Sequence, residues 1–73
     1  MPFDSKTAEL IAIGASVAAN CLPCLQTHKQ NALAAGLTEQ EITEAINVGK
    51  VVRAGAAGSM DQLIKDTTHV PTG

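Results

Sequence analysis

Cys21 and Cys24, with two residues between them in Cys21-Leu22-Pro23-Cys24, and His28 beyond them are the residues of this 73-residue chain whose types and spacing can do chemistry. On a helix advancing about 100° per residue the three fall within roughly 60° of one another. Cys24 and His28 form an i,i+4 pair, so their side chains can meet. A thiol is a weak nucleophile until it is deprotonated. A helix N-terminus and a nearby imidazole both favour the thiolate, and the first turn of a helix supplies unpaired N–H groups and the positive end of the dipole. A second thiol close by adds what redox turnover needs: one sulfur is oxidised to sulfenic acid and the other condenses with it into a disulfide.

Other readings of the same residues stay open. Two cysteines three apart can be inert helix residues, with His28 solvated. Cys21, Cys24 and His28 are also zinc-ligand types, with His69 as a fourth. The three residues between Cys24 and His28 are far fewer than the dozen or so that separate the pairs of a two-Cys, two-His site; a site shared between subunits remains open. Two cysteines this close are too few for the disulfide framework of a small secreted domain. Glu9, Ser16 and Asn20 form a polar line on the preceding segment, and spacing alone reads them as a solvated face.

The elements that must position these residues are marked by their punctuation. Asp4 or Ser5 caps a first helix running from about Lys6 to about Asn20, with Leu10, Ile13, Val17 and Ala18 at helical spacing. A second helix begins around the two cysteines, with Pro23 in its first turn and Gly36 just past its end. The third start is a capping box, Thr38-Glu39-Gln40-Glu41, with Leu37 and Ile42 at staple positions. Ile42, Ala45, Ile46, Gly49 and Val52 or Arg53 continue one face. Gly55 and Gly58 are placed to kink or divide this helix, leaving Met60, Leu63 and Ile64 to its last turns or to a fourth short helix. No segment shows the alternation of a strand. The expected fold is all-α, a bundle of three to four helices in one domain spanning residues 1–73, with 69–73 as a frayed tail.

Composition limits what such a bundle can do alone. The hydrophobic fraction is 45%, but Phe3 is the one aromatic residue, and so short a chain buries only about 60% of its unfolded surface. The missing burial is expected from other copies of the chain. A net charge of −2 with scattered cations argues against nucleic acid as a partner. The apolar run from Leu10 to Ala19 lacks the basic flank of a targeting signal and is too short to span a bilayer, so the chain reads as intracellular and free of the membrane. Gly55-Ala56-Ala57-Gly58-Ser59 lacks the Lys-Ser/Thr of a phosphate loop and reads as a place where helices approach closely. Arg53 beside it reads as solvated, with an acidic partner across a subunit contact as the other option. Met60 reads as core filler.

Taken together, Glu9, eleven intervening residues, Cys21-x-x-Cys24, three more residues and His28 resemble the motif of the AhpD-like alkylhydroperoxidases, within the carboxymuconolactone decarboxylase superfamily. The resemblance runs from Glu9 to about Leu63 and includes the Gly36-Leu37-Thr38 turn and the Glu41-Ile42 helix start. It implies a cytoplasmic thiol-dependent peroxidase that needs no cofactor. Cys24 would attack the hydroperoxide, and Cys21 would resolve the sulfenic acid and later receive electrons from a thiol or dithiol reductant, a protein among the options. His28 would act as base or proton shuttle, and Glu9 would complete the relay. A second histidine, found inside the CxxC of some members, is replaced here by Leu22-Pro23. The resemblance also implies a homo-oligomeric ring, hexameric as first choice and trimeric as second. The competing functional classes are a redox-sensing or metal-binding module without turnover, and lyase chemistry of the decarboxylase branch, whose members typically lack the paired cysteines.

Overall fold

Residues 2–67 are described by a computed structural model of the chain. The first helix, α1 (Ser5–Ala18), starts where a carboxylate meets a free amide: Asp4 accepts from the Thr7 N–H at 2.7 Å. Asp4 is therefore the cap, and Ser5 is the first helical residue. The helix ends two residues before the expected Asn20. Asn20 takes a left-handed conformation, φ 56°, and closes α1 with a pair of back-bonds: its own N–H to the Val17 carbonyl (3.1 Å) and the Cys21 N–H to the Ser16 carbonyl (2.9 Å). This is a Schellman turn, in which asparagine takes the place more often held by glycine.

The second helix, α2 (Leu22–Ala34), carries Pro23 in its first turn, as expected. It ends in the same way as α1. Gly36, at φ 94°, is the left-handed residue, and the N–H groups of Gly36 and Leu37 return to the carbonyls of Leu33 (3.1 Å) and Ala32 (3.0 Å). The third helix, α3 (Glu39–Thr67), opens on the expected capping box. The Glu41 N–H donates to the Thr38 hydroxyl at 3.1 Å, while the Glu41 carboxylate accepts from the Thr38 N–H at 3.0 Å. Leu37 and Ile42, on either side of the box, are both buried.

Helix α1 is the central element. It packs along both α2 and α3, which touch each other only briefly. Ile13, Ala32, Leu37 and Ile42 form the core, bordered by Leu10, Leu25, Ala45 and Ile46. Where α3 crosses α1, Gly49 lets the backbones meet: a Cβ there would lie 2.5 Å from the Gly14 carbonyl oxygen and 2.8 Å from the Val17 Cβ. The close approach expected near Gly55 thus occurs within this chain at Gly49, one turn and a half earlier.

Beyond Arg53 the third helix leaves the bundle. It runs unbroken through Gly55 and Gly58, with neither the kink nor the division that the glycines suggested, and no fourth helix exists among the described residues. Every described residue from 54 onward is exposed, including Met60, which therefore fills no core in this chain. A Cβ added at Gly55 or Gly58 would meet nothing within 4 Å. The radius of gyration is 16.5 Å, against roughly 11 Å for a compact chain of this length. The expected tail at 69–73, with His69, lies outside the described residues.

Candidate functional site

The closing turn of α1 and the opening of α2 share a residue. Cys21 donates its N–H into the Schellman turn, and it is also the N-cap of α2, its sulfur accepting from the Cys24 N–H at 3.3 Å. A sulfur thus occupies the acceptor position that a serine or aspartate oxygen usually holds. Cys24 follows in the first turn, and the two cysteines are joined by a disulfide, their Cα atoms 5.2 Å apart. Both sulfurs lie in the field of the helix N-terminus. Cys21 is half-buried and Cys24 is exposed.

His28 sits one turn after Cys24. Cys24 and His28 are thus an i,i+4 pair on α2. His28 Nδ1 meets Glu9 Oε2 from α1 at 2.8 Å, with the Glu9 side chain 20% and the His28 side chain 35% exposed. The solvated face read from spacing alone is therefore not what α1 presents at Glu9. Ser16, in the same polar line, is buried and donates to the Ala12 carbonyl at 2.6 Å, while Asn20 lies beyond the helix end. A carboxylate can only accept, so the ring nitrogen facing Glu9 is the one that carries a hydrogen, and in the neutral tautomer of the imidazole Nε2 is then the acceptor. The half-buried contact fixes the orientation of the ring.

Of the four residues singled out in the sequence, Cys21 and Cys24 stand at the junction of α1 and α2, while Glu9 and His28 meet farther along the two helices. Among the described residues no group of three His, Cys, Asp or Glu side chains converges as metal ligands. Two further residues reach the same place. Arg53, from α3, donates from Nη1 to Asn20 Oδ1 at 3.0 Å, so within this chain it is not simply solvated. Lys50, one turn before it, lines the same cleft beside Cys21. Both lie about thirty residues from the cysteines in sequence, and no local pattern marks them.

Residues 2–60 match the profile of the carboxymuconolactone decarboxylase family. The chain belongs to that family. Among curated relatives, a protein described as uncharacterized protein 4 in the cox locus of Paracoccus denitrificans is 39% identical over 55 residues, covering 75% of this chain and 50% of the relative. Two proteins named alkyl hydroperoxide reductase AhpD, from Anaeromyxobacter sp. strain K and Anaeromyxobacter dehalogenans, are each 35% identical over 48 residues, covering 66% of this chain and 26% of theirs. The chain thus spans half the length of the first relative and about a quarter of the other two. No solved structure matches. Within the carboxymuconolactone decarboxylase family both decarboxylases and AhpD-like proteins occur, and this member carries the cysteine pair. No helix among its described residues is long and apolar enough to cross a membrane.

Proposed function

We propose that this chain is a thiol-dependent peroxidase and disulfide oxidoreductase acting through Cys21 and Cys24. The observation that carries the reading is the Glu9–His28 contact at 2.8 Å, which ties α1 to α2 one turn past Cys24. In the reduced protein the Cys24 thiolate attacks the terminal peroxide oxygen. The O–O bond breaks, Cys24 becomes a sulfenic acid, and the alkoxide takes a proton. His28 Nε2 is the base that receives the Cys24 proton and returns it to the leaving oxygen, while Glu9 holds the ring through Nδ1. Cys21 then attacks the sulfenic sulfur, water leaves, and the disulfide forms. Two thiols, or one dithiol on a small molecule or a protein, reduce it again. No cofactor enters this cycle.

The exposed apolar residues of α3, Val51, Val52, Met60 and Leu63, support assembly with other copies. A hexamer is the arrangement we favour and a trimer the next.

The test is a thiol titration of the reduced protein before and after one equivalent of hydroperoxide. Loss of two thiols per chain, recovered with a dithiol, is expected. Cys24→Ser should abolish the loss, and His28→Ala should slow it by about a hundredfold, within the range ordinary for a general base. Full reactivity in Cys24→Ser would falsify the mechanism. Stoichiometric zinc in protein purified without chelator, blocking alkylation, would favour the metal-binding module instead.

A further inference from the structure

The cleft beside the disulfide has a chemistry that the proposed cycle does not use. It encloses about 300 Å³, the lower end of the range for small-ligand sites. Cys21 forms part of its wall, Val17, Leu25 and Ile46 supply an apolar floor, and Lys50 and Arg53 stand on its α3 side; no Asp or Glu lines it. Neither cation has a carboxylate at ion-pair distance among the described residues. Asn20 holds Arg53 by Nη1 alone, so Nε and Nη2 keep their hydrogens available. A guanidinium held by one edge beside a lysine is suited to a carboxylate, which it can bind through two parallel hydrogen bonds.

We infer that this cleft selects the reductant: a small thiol bearing a carboxylate, bound by Arg53 and Lys50 so that its sulfur faces Cys21. The inference rests on the disulfide being a working redox centre, and it adds the class of electron donor. The thiolate of the donor attacks Cys21 Sγ. A bond forms between the two sulfurs, the Cys21–Cys24 bond breaks, and the electron pair passes to the Cys24 sulfur, which takes a proton. A second donor thiolate attacks the donor sulfur of this mixed disulfide, forming the donor's disulfide and releasing the Cys21 thiolate. Two donor thiols are oxidised for each protein disulfide reduced. Arg53 and Lys50 bind and position the donor and do not touch the proton relay at His28 and Glu9.

The experiment follows reduction of the oxidised full chain by three thiols of similar size: 3-mercaptopropionate, 2-mercaptoethanol and cysteamine. Each is compared at equal thiolate concentration, and each rate is divided by that thiol's rate with an uncharged peptide disulfide. The normalised rate should favour 3-mercaptopropionate over cysteamine by about twenty-five-fold at low salt, since one cation near 4 Å in water attracts the one and repels the other by roughly fivefold each. The preference should shrink in 0.5 M salt. The double variant Lys50→Gln with Arg53→Gln should bring the ratio close to one, and Arg53→Lys should keep most of it. A wild-type ratio near one, or a ratio unmoved in the double variant, overturns the inference. Thiols that resist hydroperoxide in a protein keeping the charge-dependent ratio would overturn the peroxidase reading and leave the cleft assignment supported.

Discussion

Helix α3 is two different objects joined end to end. Its first half, to Arg53, sets Ile42, Ala45, Ile46 and Gly49 against α1. Every described residue of its second half is exposed, although its composition is no less apolar. Glycine makes the contrast sharpest. Gly49 is there because another backbone occupies the space a side chain would need, whereas Gly55 and Gly58 face open space. The same residue type in one helix is thus a packing requirement at one position and only a cost in helix propensity at the others. What distinguishes them is α1, which passes under one and not the others.

The largest effect should come from filling the crossing point. Gly49→Ala drives a methyl group into the Gly14 carbonyl and the Val17 side chain. Overpacking of this kind costs about 1–3 kcal/mol, and backbone cannot step aside as a flexible side chain can, so about 3 kcal/mol is expected by denaturant unfolding. A neutral result would mean that α1 and α3 can separate without loss, and the contrast between the halves would fail. Next comes the projecting half. Met60→Glu with Leu63→Glu should leave the helical signal of the dissociated chain intact while shifting the sedimentation profile to smaller species at low micromolar concentration. A wild-type chain that already sediments as a monomer would remove the case for partner copies.

A smaller change tests where the first half begins. Thr38→Ala removes the hydroxyl that accepts from the Glu41 N–H and should cost about 1 kcal/mol, the usual value for a lost N-cap. Gly55→Ala should act in the opposite direction, stabilising α3 by up to about 1 kcal/mol through helix propensity alone. A loss at Gly55 would show that a neighbouring copy lies as close there as α1 does at Gly49. The smallest effect is acid-dependent. The Thr7 N–H holds the Asp4 carboxyl below its usual range, and the Thr38 N–H and hydroxyl do the same for Glu41. A depressed carboxylate stabilises the fold above its unfolded-state pKa, and that contribution is lost as pH falls through the lower folded-state value. A modest drop in Tm below the ordinary carboxylate range, reduced in Thr38→Ala, is therefore expected.

The parts of this structure legible in the sequence are those whose causes lie within four residues of one another. Thr38 and Glu41 announce the start of α3 because a capping box is a local exchange of hydrogen bonds, and Gly36 announces the end of α2 because glycine is the usual left-handed residue. The matching turn after α1 was missed, since Asn20 marks a left-handed position far less plainly than glycine and the apolar pattern runs on to Ala19. Cys21 stands just before α2 as its cap, whereas the positions of Cys24 and His28 could be read from their spacing on one helix. The meeting of Glu9 with His28 could not, because the two belong to different helices 19 residues apart, and spacing alone placed Glu9 on a solvated face. Only the family resemblance drew it in. Arg53 and Asn20, 33 residues apart, carried no such mark, and the fate of Gly55 and Gly58 depends on whether a neighbouring helix passes, which periodicity does not record.

The double duty of Cys21, last in the closing turn of one helix and cap of the next, bears on how this site could be moved to another scaffold. Grafting the tetrapeptide Cys21-Leu22-Pro23-Cys24 onto the start of an arbitrary helix would transplant the sulfurs without their bearing. The segment that must travel is Ser16 to His28, with a residue at position 20 able to turn left-handed and a carboxylate seven residues upstream of Ser16 on the same helix.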